Sequence, residues 1–211
     1  MADNKAKDNA VRTMVKEAGI LLAITLIAGL VLGFVNELTK EPIRLQEEKA
    51  IQEACASVFP TATRFEEAAC EISQQVTEEL NQNGVKAGTV YRALDSSDAG
   101  LGYVIETTST QGYGGNIVIY TGLSQDGTVQ GISFLEISET AGLGMEAESV
   151  LGPQFRNVKA DLFTYTKTGS RSESEIDAIS GATITTRAVV NAVNGALTIG
   201  KELGVGGDGN E

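Results

Sequence analysis

The chain has 211 residues with 28 acidic and 16 basic side chains, a formal charge of −12, which leaves room for one domain of ordinary size plus appendages and disfavours nucleic acid as a partner. No histidine is present, so serine–histidine catalysis and histidine-bound zinc are excluded. The two cysteines, Cys55 and Cys70, have no CxxC spacing and point to no metal site; a disulfide and two buried thiols both remain open.

Residues 1–17 mix Lys5, Lys7, Arg12 and Lys16 with Asp3, Asp8 and Glu17 and read as a short polar tail. From Ala18 to Asn36 no residue is charged, and these 19 positions are about the length that crosses the hydrocarbon layer as a helix. A cleaved signal peptide would have a shorter apolar core and a small-residue cleavage site, whereas this run ends in Val35-Asn36-Glu37, so an uncleaved anchor is expected. Gly29 and Gly33 form a GxxxG pair, readable either as a helix-packing face or as ordinary glycine content of a membrane helix. Four basic residues precede the span, and Lys40, Arg44 and Lys49 follow it; this slight bias places the N-terminus in the cytoplasm and the remainder outside. Pro42 suits a first helical turn, and Ile51, Ala54, Cys55 and Val58 repeat at helical spacing until Pro60, giving a connecting helix over 37–60. A weaker helical pattern covers Glu66 to Leu80 and stops at Asn83-Gly84.

Strands are expected at Thr89–Leu94, Gly102–Thr108, Asn116–Leu123 and Thr128–Ile137, rich in Val, Ile, Tyr and Thr and separated by Gly- or Asp-containing turns. Gln125-Asp126-Gly127 is a hairpin signal, so the sheet reads as an antiparallel meander with helices packed on it, an α+β fold. Two glycine-dense segments interrupt it, GYGG at Gly112–Gly115 and SETAGLG at Ser138–Gly144; both read locally as loops. Residues 204–211, GVGGDGNE, read as a disordered end.

The most informative stretch is DAISGATITTRAVV, Asp177–Val190. Ser180, Thr183, Thr185 and Thr186 supply four hydroxyls around Gly181 and Ala182, and an apolar helix-periodic run follows through Val189, Val190, Val193 and Leu197. A tight turn opening into a helix leaves unpaired N–H groups at the positive end of the dipole, which favours a phosphate; locally the same residues would serve as a helix cap.

DxxSGATxT, ETAGLG (with Ala141 where proline is usual), GYGG and a single N-terminal span occur here in one order. Together they resemble the G-type flavin subunit of the Rnf complexes and the related C-type subunit of sodium-translocating NADH:quinone reductases. The resemblance covers roughly residues 18–200 and implies an extracytoplasmic FMN-binding domain over 61–203 behind the 18–36 anchor. It implies FMN joined covalently to Thr183 through a phosphoester, with Ser180, Gly181, Ala182 and Thr185 on the phosphate side. Glu139, Thr140, Gly142, Leu143 and Gly144 would be ring-side, and Asp177 would be read by a separate flavin transferase. Thr183 is then a modification acceptor, and no catalytic residue or metal ligand is expected. No GxGxxG follows a strand, so NAD(H) should bind elsewhere. The implied role is an electron relay in an inner-membrane complex that passes electrons between reduced ferredoxin and NAD⁺, coupled to Na⁺ or H⁺. The alternatives are the quinone-reductase relative and a non-redox anchored phosphate- or nucleotide-binding module.

Overall fold

A computed structural model describes residues 2–206, and the chain divides into two units, Met1–Lys49 and Ala50–Glu211. Helix α1 (Ala2–Val58) is continuous where a polar tail, a span and a separate connecting helix were expected, and Pro42 lies inside it. A proline removes one i→i−4 hydrogen bond, and the long runs of helix on either side carry that local loss. In the first unit the apolar side chains of the expected span, among them Leu22, Leu30, Leu32 and Phe34, are all exposed. This stretch is long and apolar enough to cross a membrane.

The second unit is built on a six-stranded antiparallel sheet in simple chain order: β1 (Arg64–Glu67), β2 (Val85–Leu94), β3 (Gly100–Ser109), β4 (Ile117–Ser124), β5 (Thr128–Ile137) and β6 (Val158–Lys159). The expected meander is present, β5 has the expected bounds, and Gly127 turns the β4–β5 hairpin at φ +85°. Between β1 and β2 lies α2 (Gln74–Gln82); between β5 and β6 lies the short α3 (Ala147–Leu151). A parallel pair, β7 (Thr164–Thr166) with β8 (Glu175–Asp177), leads into α4 (Thr183–Glu202).

Side chains alternate across a strand, so both faces of β3 and β4 can be buried. On one face Ile105, Ile117, Ile119 and Leu123 meet Val189, Val193, Ala196 and Ile199 of α4. On the other, Val104 and Tyr120 meet Ala54, Cys55, Val58 and Phe59, so the last turns of α1 belong to the domain core and the unit begins before residue 61.

Two expectations are corrected, and one open alternative is decided. The helix expected over Glu66–Leu80 is a strand and a shorter helix: Phe65 pairs with Ala93 at the sheet edge, and Ser73 Oγ caps α2 by accepting from Val76 N at 3.3 Å. The end expected to be disordered from Gly204 is ordered through Gly206, because Val205 is buried and its N–H donates to Gly200 O at 2.8 Å; residues 207–211 lie outside the described part. Of the two readings left open for the cysteines, the structure has the free thiols, Cys55 buried under one face of the sheet and Cys70 half-buried against the cluster on the other.

The α1-side face carries a titratable cluster. Glu106 Oε2 accepts from Tyr120 Oη at 3.2 Å and Thr89 N at 3.3 Å, and the Tyr91 and Tyr120 rings lie 6.0 Å apart. Burial, then the Glu106 charge, pushes the Cys55 thiol up to about 12, and burial likewise raises Tyr120 and Tyr91. All three become charged on losing a proton, so their contribution to stability is complete below about pH 8.5, the unfolded thiol value, and is lost as pH rises through the folded values. Urea midpoints measured from pH 8 to 11 should therefore fall steadily, and less steeply in Tyr120→Phe; a flat profile would contradict the burial of this cluster.

Candidate functional site

Strand β8 ends at Asp177, and the chain turns through 178–182 into α4. Gly181 has φ +78°, a conformation that favours glycine, and a Cβ there would lie 3.1 Å from Leu143 Cδ2, the movable end of a part-exposed side chain. The turn is held from within by Thr186, whose buried Oγ1 accepts from Ile179 N at 3.1 Å and donates to Ala182 O at 3.0 Å. Ala182 is the N-cap and offers no side-chain cap; no acidic residue occupies the first turn. The positive end of α4 therefore keeps free amides and lacks the usual side-chain acceptor.

The four hydroxyls of the motif have separate fates. Thr186 closes the turn, and Thr185, also buried, donates to Glu139 Oε2 at 3.0 Å. Ser180 borders no part of the cavity that the motif opens onto. Thr183, the first residue of α4, is half-buried on the wall of that cavity, and its hydroxyl has no hydrogen-bond partner among the described residues. Asp177, expected to be a recognition determinant, has its carboxylate engaged within the chain: Ser170 N donates to Oδ1 at 2.6 Å and Ser170 Oγ to Oδ2 at 3.1 Å. Its backbone pairs with the Gln154 amide, at 2.7 Å for Asp177 N to Oε1 and 3.3 Å for Nε2 to Asp177 O.

Glu139 brings the three glycine-containing motifs together. Besides Thr185, it accepts from Tyr113 N at 2.8 Å and Gly114 N at 3.3 Å through Oε1, so one carboxylate ties GYGG, ETAGLG and the α4 start. Beyond it the ETAGLG turn closes on itself, with Leu143 N and Met145 N donating to Thr140 O at 3.1 and 3.2 Å. Glu139 is thus engaged as a tie between segments, a role that the motif string alone did not disclose.

Between these segments lies a cavity of about 420 Å³, walled by Glu139, Thr140, Leu143, Gly144, Gly181, Ala182, Thr183 and Thr185, together with Tyr113 and Ile184. Eight of the ten expected residues are therefore assembled on it; Ser180 and Gly142 are not in its wall. Tyr113 and Ile184 were missed, although an aromatic inside a glycine-rich loop and an isoleucine at the second helical position were visible signals. Tyr113, Leu143 and Ile184 are large, exposed apolar groups at a cavity that also holds a free hydroxyl and helix amides. That donor set suits a flat heterocycle carrying a phosphate. A second cavity, of about 370 Å³ beside Leu80, Phe163 and Val190, offers less: its Asn194 already clamps Phe163 N and O at 2.8 and 2.9 Å, and Asn191 donates to Asn83 O.

Comparison with known proteins agrees with this assignment. A family model described as FMN-binding domain matches residues 112–198, which include every residue of the 420 Å³ cavity, and one described as RnfG N-terminal region matches residues 1–58. The chain is 30% identical over 186 residues to the G-type subunit of the Na⁺-translocating ferredoxin:NAD⁺ oxidoreductase complex of Acetobacterium woodii, covering 87% of this chain and 90% of that one. It is 30% identical over 199 residues to the corresponding G-type subunit of the ion-translocating oxidoreductase complex of Methanosarcina acetivorans (93% and 96% covered) and 32% over 197 residues to that of Vibrio vulnificus (87% and 88%). A crystal structure of Shewanella oneidensis NqrC matches at 19% identity and a TM-score of 0.45, over 65% of this chain and 66% of that one. With an FMN-binding domain placed over the assembled cavity and relatives aligned along nearly its whole length, the chain belongs to the RnfG family, the G-type subunits of ion-translocating oxidoreductase complexes.

Proposed function

We propose that the chain is the flavin-bearing electron relay of a membrane-bound ferredoxin:NAD⁺ oxidoreductase complex, with FMN joined to Thr183 Oγ1 by a phosphoester. The observation that carries this reading is the sorting of the four motif hydroxyls, because among them Thr183 alone is both on the cavity wall and unengaged. The first-turn amides of α4 would hold the phosphate, and Tyr113, Leu143 and Ile184 would supply apolar contact to the ring. FMN supplies the electron chemistry when bound, while this chain orients it and sets the charge around it. Thr183 has no base committed to it: the carboxylate on the cavity wall, Glu139, bonds Thr185, so attachment is work for a separate flavin transferase. NAD(H) binding falls to other subunits of the complex.

The orientation we favour has the N-terminus in the cytoplasm, an anchor over 18–36 and the FMN domain on the extracytoplasmic side, supported by the small excess of basic residues before the span. Intact mass of the chain purified from its own membrane complex tests the attachment. It should exceed the sequence mass by one FMN phosphoester, and fragmentation of the tryptic peptide Ser172–Arg187 should place the increment on Thr183. A bare peptide, or an increment on Ser180, overturns the assignment. Protease digestion of right-side-out and inverted vesicles decides the orientation separately.

A further inference from the structure

Glu139 is oriented by three donors from two other segments and forms part of the cavity wall. Every one of those donors is neutral, two backbone amides and a hydroxyl. No lysine or arginine lies in the cavity wall, and among the described residues none forms an ion pair with Glu139. The chain therefore fixes, beside the space that the ring would occupy, a carboxylate that no basic side chain among the described residues offsets. A wall intended only to bind a phosphorylated ligand gains nothing from such a charge, which repels the phosphate, and Asn or Gln could accept the same amide hydrogens.

From this geometry we infer that Glu139 lowers the reduction potential of the flavin held at Thr183, an inference that rests on the Thr183 reading. When the oxidised ring takes two electrons from a reduced redox centre of a neighbouring subunit and one proton at N5, it gains one net negative charge. In a partly dry cavity a fixed carboxylate opposes that gain more strongly than it would in water, so the reduced form is disfavoured and its electrons are passed on more readily. Glu139 is a positioning residue as well, since its Oε1 seats the GYGG loop.

The substitution Glu139→Gln separates the two roles. Its amide oxygen still accepts from Tyr113 N and Gly114 N, and the Thr185 hydroxyl can turn to accept from its NH₂, so the seat is kept and the charge removed. The test is a redox titration of the flavin in the full chain, co-expressed with a flavin transferase and purified in detergent, with FMN content fixed by intact mass. The midpoint should move positive in Glu139→Gln and stay near the parental value in Glu139→Asp, which keeps the charge. Thr185→Val removes a donor that offsets part of the charge and should move the midpoint negative; it decides the matter if the Gln variant takes up no flavin. Parental potentials in both the Gln and Val variants, or a negative shift in the Gln variant, overturn the inference while leaving a loaded parent intact. A parent chain without the FMN increment overturns it together with the Thr183 reading.

Discussion

Thr183→Val yields a folded, membrane-inserted chain with no covalent flavin. Valine has nearly the shape of threonine and is tolerated at the start of a helix, and the Thr183 hydroxyl bonds no described residue, so its removal should change stability by no more than about 0.5 kcal/mol. What it removes is the one unengaged hydroxyl of the motif to which a phosphoryl group can be joined at the cavity. In a denaturing gel under ultraviolet light the parent band fluoresces and the variant band does not, while thermal unfolding of the two coincides when both are produced without a flavin transferase. A variant band as bright as the parent would sink the attachment site; a variant that melts far below the parent would show Thr183 to be structural. Thr185→Val and Thr186→Val lack this separation, because both hydroxyls are buried and bonded.

Gly114→Ala should damage the same site from the opposite wall, with a cost in stability as well. A Cβ at Gly114 would overlap the Ser138 carbonyl oxygen, which is backbone directly after β5 and next to Glu139, so neither partner can yield cheaply. The GYGG loop must lift away, and the bonds from Tyr113 N and Gly114 N to Glu139 are lost with it. Overpacking of this kind costs about 1–3 kcal/mol, seen as a lower unfolding midpoint, and the displaced Tyr113 should reduce flavin loading. Gly152→Ala is the matched control. Gly152 has a helical φ of −49° and open space around its Cβ position, so that variant should unfold and load like the parent.

The central strands were legible because β2 to β5 alternate β-branched and aromatic residues between clear turn signals, and the α4 start was legible because its small residues meet an apolar periodic run. The edges were not. The segment from Arg64 to Gln82 is so polar that neither period dominates, and its strand exists through pairing with β2, a partner remote in sequence. Strands β6, β7 and β8 are two or three residues long and leave no periodic trace. At the site the residue types were readable but their roles were not. The bond from Thr185 to Glu139 spans 46 positions and has no local signature. Helical spacing does not separate them either: Thr185 and Thr186 stand four positions before Val189 and Val190, but Thr183 stands three before Thr186 and seven before Val190, so only the fold distinguishes the free hydroxyl.

The seating of Ala54, Cys55, Val58 and Phe59 under the sheet bears on how this domain can be isolated. A soluble fragment trimmed to the start of the β-structure would strip the cover from Tyr120, Val104 and Ala93 and present that patch to water, inviting aggregation. Excision upstream of Ile51 spares the cover. The final two turns of the anchor-bearing helix double as a lid for the domain's own interior, so evolution could not swap the anchor for an arbitrary tether without rebuilding that face.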